Sequence, residues 1–225
     1  MKKIALTLVL LSFAASTRAI DKAELEQRIH LLTSEFEALV KKNVIPTENL
    51  KRAKGIVLLD RTKAGFLFAY QGGAGVALVK DARSDQWSPA AFLNANEASL
   101  GFQIGAQHVF VVILLMDTNA TRLITEPNLE FGGEAEGTAN NSSAGVDGRI
   151  TAGPQSVLIY DERKGLYGGV SLKGGAIASD SGANRIYYGQ AATMKEILFD
   201  KKVKSTEAVS ALAAKITDYS TKSPK

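Results

Sequence analysis

Between Ala64 and Gly105, glycines punctuate apolar segments of strand length, and this constrains the fold more than any other feature. The run reads Ala64-Gly65-Phe66, Gly72-Gly73-Ala74-Gly75-Val76, Trp87-Ser88-Pro89 and Gly101-Phe102-Gln103-Ile104-Gly105. Phe66, Phe68 and Tyr70 alternate with Leu67 and Ala69, which predicts a strand with an aromatic face. Gly72-Gly73 is expected to turn the chain toward a strand at 76–79. Residues 54–59, 101–107, 109–115, 156–160, 166–172 and 185–188 read as further strands, with a strand turn at 60–64. The apolar run 109–116 is too short to cross a bilayer as a helix and reads as a strand buried on both faces. The polar, glycine-rich stretch 132–148 reads as an exposed loop or a loosely held hairpin.

On either side of this region the period changes. Leu25, Ile29, Leu32, Phe36, Leu39 and Val40 recur at three-and-four spacing, predicting an amphipathic helix over 22–42 that Pro46 ends. A short helix capped by Thr47 is expected next. A helix is expected over 193–199, then a last one capped by Ser205, with Val209, Leu212, Ile216 and Tyr219 on one face. The fold class expected is α+β: a mainly antiparallel sheet or barrel-like β core flanked by N-terminal and C-terminal helices. No long linker and no internal repeat is visible, so residues 20–225 are expected to form a single domain.

Residues 1–19 are read as a secretory signal peptide. Lys2 and Lys3 give a basic start, residues 4–15 are apolar, and Thr17-Arg18-Ala19 is a small-residue cleavage site, with Ser16 as a second. The protein is therefore expected in the periplasm or secreted, at most peripheral on an envelope membrane. Removing Lys2, Lys3 and Arg18 from 27 basic residues leaves 24 against 23 acidic ones, so the basic balance belongs largely to the leader. A nucleic-acid partner is not expected on that charge. The charge that remains is segregated: seven basic residues against four acidic ones over 43–85 and again over 195–225, with Arg122 alone among acidic residues over 86–145. There is no cysteine, which excludes a lipidated cysteine, a thiol nucleophile and cysteine metal sites.

Catalytic signatures fail one by one. Gly72-Gly73-Ala74-Gly75 is followed by Val76 rather than the Lys-Ser/Thr of a phosphate loop, and it lacks the dinucleotide spacing. Gly169-Val170-Ser171-Leu172-Lys173 has lysine where a nucleophile elbow needs glycine. His30 and His108 are the only histidines, and neither has carboxylates clustered near it in sequence. No catalytic residue, metal site or cofactor is expected, and the protein is read as non-enzymatic.

An ordered set of segments resembles the SYLF family of lipid-binding domains. Lys51-Arg52-Ala53-Lys54-Gly55-Ile56 matches its lead-in, followed by Ala64-Gly65-Phe66, Gly73-Ala74-Gly75, Trp87-Ser88-Pro89 and the Gly-Phe-Gln-Ile-Gly strand. Downstream come Gly153-Pro154, residues 164–172 (KGLYGGVSL), Asn184 with Tyr187-Tyr188-Gly189, and Glu196-Ile197-Leu198-Phe199. The resemblance spans about 25–218. One departure is the polar approach Asn94-Ala95-Asn96-Glu97-Ala98-Ser99-Leu100, read as a loop whose altered composition bears on ligand choice.

What the resemblance implies is binding of anionic phospholipids, with actin binding in some fungal members. For an exported form, phosphatidylglycerol, cardiolipin or phosphatidic acid are the expected lipids, and actin is not an expected partner. Recruitment through attached SH3 or FYVE-type modules is not expected either. The expected lipid-binding residues are Lys51, Arg52, Lys54, Arg61 and Lys63, a basic cluster for head-group phosphate, with Trp87 as an interfacial anchor. The N-terminal helix is expected to pack on the sheet, since Glu24, Glu26, Glu35 and Glu37 on its polar face would repel an anionic surface. Two rival functions keep the same fold: a soluble periplasmic carrier enclosing a lipid or other apolar ligand in the β core, and an envelope scaffold binding another protein. Oligomeric state is not legible.

Overall fold

The structure, a computed structural model, describes residues 20–65, 69–99, 105–126, 129–132, 136–139, 150–151, 156–161, 165–166 and 175–221. Helix α1 (Lys22–Lys41) starts at a capping box: Glu24 N donates to Asp21 Oδ1 at 2.9 Å, and Asp21 N donates back to Glu24 Oε2. Its stripe Leu25, Ile29, Leu32, Phe36 and Leu39 is fully buried in the domain, worth about 1.5–3 kcal/mol per side chain. Helix α2 (Thr47–Arg52) follows, with Pro46 rather than Thr47 at the cap position.

Four long strands come next: β1 (Gly55–Gly65), β2 (Ala69–Val79), β3 (Ala91–Ser99) and β4 (Gly105–Leu115). Helix α3 (Thr118–Leu123), which the sequence did not announce, leads to short strands β5 (Leu129–Gly132), β6 (Glu136–Ala139) and β7 (Ile150–Thr151). Strands β8 (Val157–Asp161), β9 (Gly165–Leu166) and β10 (Gly175–Ser179) complete the sheet, and helices α4 (Ser181–Tyr188), α5 (Met194–Leu198) and α6 (Glu207–Thr221) close the chain.

The ten strands form one antiparallel sheet in the order β7-β6-β5-β10-β3-β2-β1-β4-β8-β9. This is the expected α+β class. Ile56, Leu58, Val76, Leu78, Phe92, Val112 and Leu114 face one way, under α1, α2, α4 and α6. Their neighbours Val57, Leu59, Ala77, Leu93, Val111 and Ile113 face the other way and pack with α3 and α5. Both faces are covered, which is why 109–115 reads as an unbroken apolar run rather than an alternating one. Helix α3 touches β4 and also β6 and β7, six and seven places away in the order, so the sheet is rolled around its second core.

Several expectations are corrected. Gly72-Gly73 is no turn: β2 runs through it, paired to β1 and β3. Glycine is needed there for close approach, because a Cβ on Gly75 would lie 2.0 Å from Leu58 O and one on Gly73 2.9 Å from Asp60 O. Residues 60–64 continue β1, and 94–99 belong to β3, hydrogen-bonded to β2 and β10 instead of looping. Residues 185–188 are helix, since Asp180 caps α4 through Ala183 N and Gly189 ends it at φ 67°. The last helix is capped one residue later than expected, with Thr206 Oγ1 accepting from Val209 N. Parts of the expected strands at Phe66–Phe68, 101–104 and 167–172, and most of 132–148, lie outside the described residues, as do residues 1–19.

Candidate functional site

At one end of the sheet, three connections meet around a cleft of about 270 Å³. The first is the step from α2 into β1. Ala53 is fully buried, Lys54 N donates to Leu115 O at 2.7 Å, and Lys80 N donates to Lys54 O at 2.8 Å. The backbone of Lys54 is thus clamped between the ends of β4 and β2 while its side chain is exposed at the cleft.

The second connection joins β2 to β3. Asp81 Oδ1 accepts from Arg83 N and Ser84 N, an Asx turn, and a bridge pairs Lys80 with Trp87. Ser88 fixes the turn from within the protein: its Oγ accepts from Val79 N and donates to Pro89 O. The third is the segment after α5, where Lys201 adopts φ 53° and its Nζ stands 2.8 Å from Asp81 Oδ2. Helix α3, capped by Asp117, sets Arg122 on the remaining wall.

The cleft carries Lys54, Lys80, Arg122 and Lys201 against Asp81 and Asp85. Lys201 pairs with Asp81, and Lys80 lies 3.6 Å from Asp85 Oδ2 and 5.2 Å from the Trp87 ring centroid. The Lys201 ammonium, helped by the Ser84 and Arg83 amides, holds the Asp81 carboxyl far below the usual carboxylate range. Lys54 and Arg122 are exposed and make no ion pair among the described residues. Lys51 and Arg52, in the last turn of α2, are likewise exposed and unpaired. Phe199, 37% exposed, forms an apolar rim. The site is therefore a cationic recess with one aromatic edge.

The six residues read from sequence do not assemble as one cluster. Lys51, Arg52 and Lys54 stay together, although α2 ends at Arg52 and Lys54 shares no helical face with Lys51. Arg61 lies seven residues along an uninterrupted strand and Lys63 nine, roughly 23 and 30 Å from Lys54 at about 3.3 Å per residue. Arg61 is 7% exposed, its stem against Gly73 on the side of the second core, so it is not offered to a surface. Trp87 is half-buried against the helix-side core. Arg122, Lys201 and Phe199 were missed, because no linear pattern joins positions 54, 122 and 199–201. The available signals were the lone Arg122 in an acidic stretch and the basic excess over 195–225 that holds Lys201.

Among the described residues no group of three or more His, Cys, Asp or Glu is placed to hold a metal. His30 is exposed on α1, and His108 is a residue of β4. No helix among them is long and apolar enough to cross a membrane.

A family model described as "Las17-binding protein actin regulator", Ysc84, matches residues 96–219, more than half of the chain. The chain belongs to the Ysc84 family, the SYLF domain of the sequence resemblance. Protein YSC84 of Saccharomyces cerevisiae is 35% identical over 69% of this chain and 34% of its own length. LAS seventeen-binding protein 3 from the same yeast is 33% identical over the same shares. SH3 domain-containing YSC84-like protein 1 of Xenopus laevis is 29% identical over 79% of this chain and 55% of its own. The chain thus spans about a third of these yeast Ysc84 relatives and about half of the vertebrate one. No solved structure matches it. The expectation that actin is no partner gains no support, since the Ysc84 model is itself described as an actin regulator. Arg122, Lys195 and Lys201 fall inside the matched stretch, whereas all six residues read from sequence precede it.

Proposed function

We propose that this protein binds anionic phospholipid head groups at a membrane surface through the cleft at Lys54 and Arg122, without catalysing a reaction. The observation that carries this reading is the pair of exposed cations, Lys54 and Arg122, without ion pairs among the described residues in a recess rimmed by Phe199. Head-group phosphate enters the recess, Lys51 and Arg52 add attraction from α2, and Phe199 dips into the interface. Each cation near an anionic leaflet contributes about 1 kcal/mol, so these four sum to about 4 kcal/mol, a reversible attachment. Residues 1–19 direct the chain out of the cytoplasm, where bacterial-type acidic lipids are the available surface. The concave side of the sheet is packed with side chains such as Val57, Leu59, Val111 and Ile113, which favours surface binding over carriage of an enclosed lipid.

Cosedimentation of the purified protein with phosphatidylglycerol vesicles and with neutral vesicles tests the reading. Binding is expected to acidic vesicles alone and to fall with salt, as the screening length shrinks from about 10 Å at 0.1 M to about 3 Å at 1 M. Reversing Lys54 and Arg122 to Glu changes four charges at the recess, about 4 kcal/mol or roughly a thousandfold in partition. Unchanged binding by that variant refutes the site. Pelleting with filamentous actin is the parallel arm: saturable actin binding with no vesicle binding would move the function to a protein ligand.

A further inference from the structure

Near the start of α5 lies a larger groove, about 790 Å³, between the start of α4 and the segments flanking α5. Arg185 stands in its wall on α4, Lys195 on α5 and Lys202 on the segment toward α6. Arg185 and Lys195 are exposed and have no ion-pair partner among the described residues. Glu196, the one acidic residue among the described lining residues, is engaged by Lys202 and by Thr193 N, so among them those two cations are left uncompensated. Ser179 and Ser181 turn exposed positions to the same groove, and their hydroxyls make no hydrogen bond among the described residues.

We infer that this groove docks an extended acidic peptide segment of a protein partner. The cations stand on separate elements around an open groove instead of converging on one point, which suits carboxylates strung along a chain better than one compact phosphate. The unengaged serine hydroxyls provide donors for further carboxylate or backbone oxygens. Buried Met194 offers an apolar contact beneath. Charge complementarity thus selects the partner: among the described residues the lining is net positive, with its one anion already engaged. Because the groove and the cleft at Lys54 and Arg122 have no lining residue in common among the described residues, the two surfaces can be perturbed independently.

The test is fluorescence anisotropy of a labelled, end-blocked hexaglutamate peptide titrated with purified protein at low salt, with hexalysine as control. Saturable hexaglutamate binding is expected, weakened about tenfold (1.4 kcal/mol) by Arg185→Glu with Lys195→Glu. The Lys54→Glu, Arg122→Glu variant should bind the peptide like the unaltered protein. Arg185→Gln with Lys195→Gln provides a milder pair if the reversal unfolds, and amide shifts of Ser179 and Ser181 on peptide addition report the site without any substitution. Absence of hexaglutamate binding by the unaltered protein, or binding by both Arg185/Lys195 pairs equal to that of the unaltered protein, overturns the inference. So does loss of phosphatidylglycerol vesicle binding with intact peptide binding in those pairs, which would hand the groove to lipid.

Discussion

Asn184 is the joint through which α4 is fastened to the sheet, and replacing it is a sharp test of how the fold is held. Its side chain is fully buried, Phe92 N donates to its Oδ1 at 2.8 Å, and its Nδ2 donates to Phe92 O at 3.0 Å. In Asn184→Ala, Phe92 O keeps the hydrogen bond from Asp180 N, but Phe92 N–H loses its acceptor in a dry site. An orphaned buried donor costs about 1–3 kcal/mol, and the missing side-chain volume adds to it, so the expected loss is about 3 kcal/mol. For a chain of this length that lowers Tm by about 6–12 °C. Asn184→Asp separates hydrogen bonding from charge. When protonated, the carboxyl introduced by that substitution can accept from Phe92 N and donate to Phe92 O, whereas the ionised form can only accept and must be buried charged. Burial raises its folded pKa above the unfolded value of about 3.9, so stability is fully present below that pH and is lost as pH rises through the folded pKa. Circular dichroism melts at several pH values read both variants. A melting point for Asn184→Ala within a degree of the parent, or an Asn184→Asp melt that does not fall from acidic to neutral pH, refutes the reasoning.

Gly75→Ala should destabilise by about 3 kcal/mol or more, because its Cβ would meet a ladder carbonyl that cannot retreat without breaking β1–β2 pairing, while Gly182→Ala, whose Cβ meets only Asp180 Oδ1 at 3.5 Å in a helix, should stabilise by about 0.4–1 kcal/mol. Denaturant melts of the two decide it, and equal effects would sink the close-approach argument. Glu196, depressed to about 2 by the Lys202 ammonium and Thr193, should titrate in that range by NMR and move upward in Lys202→Ala. The stabilisation it gives α5 is present above its ordinary value near 4.5 and fades as pH falls toward 2. Phe199→Ala should weaken vesicle binding while leaving its salt dependence intact, whereas Trp87 emission should not shift when vesicles are added, since its ring already packs on the core.

The helices were legible where a stripe and a cap coincide: α1 follows its apolar spacing from Asp21 to Lys41, and α5 follows the Thr193–Glu196 capping box. Strand existence was legible, strand limits less so. Glycines in β2 mimic a turn signal when read locally, and only the carbonyls of β1 beside them show why they are there. The stretch 185–188 has the β-prone composition of a strand, yet Asp180, Asn184 and Gly189 settle it as helix through contacts to Phe92 and a left-handed end. For the site, Lys51, Arg52 and Lys54 were readable as a local run. Arg61 and Lys63 were grouped with them by sequence distance, which an extended strand converts into separation and, for Arg61, burial.

By itself the sequence determined the class of fold, because hydrophobic period is a local property that backbone geometry turns directly into helix or strand. It also determined the family, through short motifs in a set order. Only the tertiary structure decided which cations share a surface. Lys54, Arg122 and Lys201 arrive there from the α2–β1 connection, helix α3 and the segment after α5, brought together by antiparallel pairing and by α5 packing on the sheet. Electrostatic attraction depends on distance through space, and that distance exists only after the chain has folded.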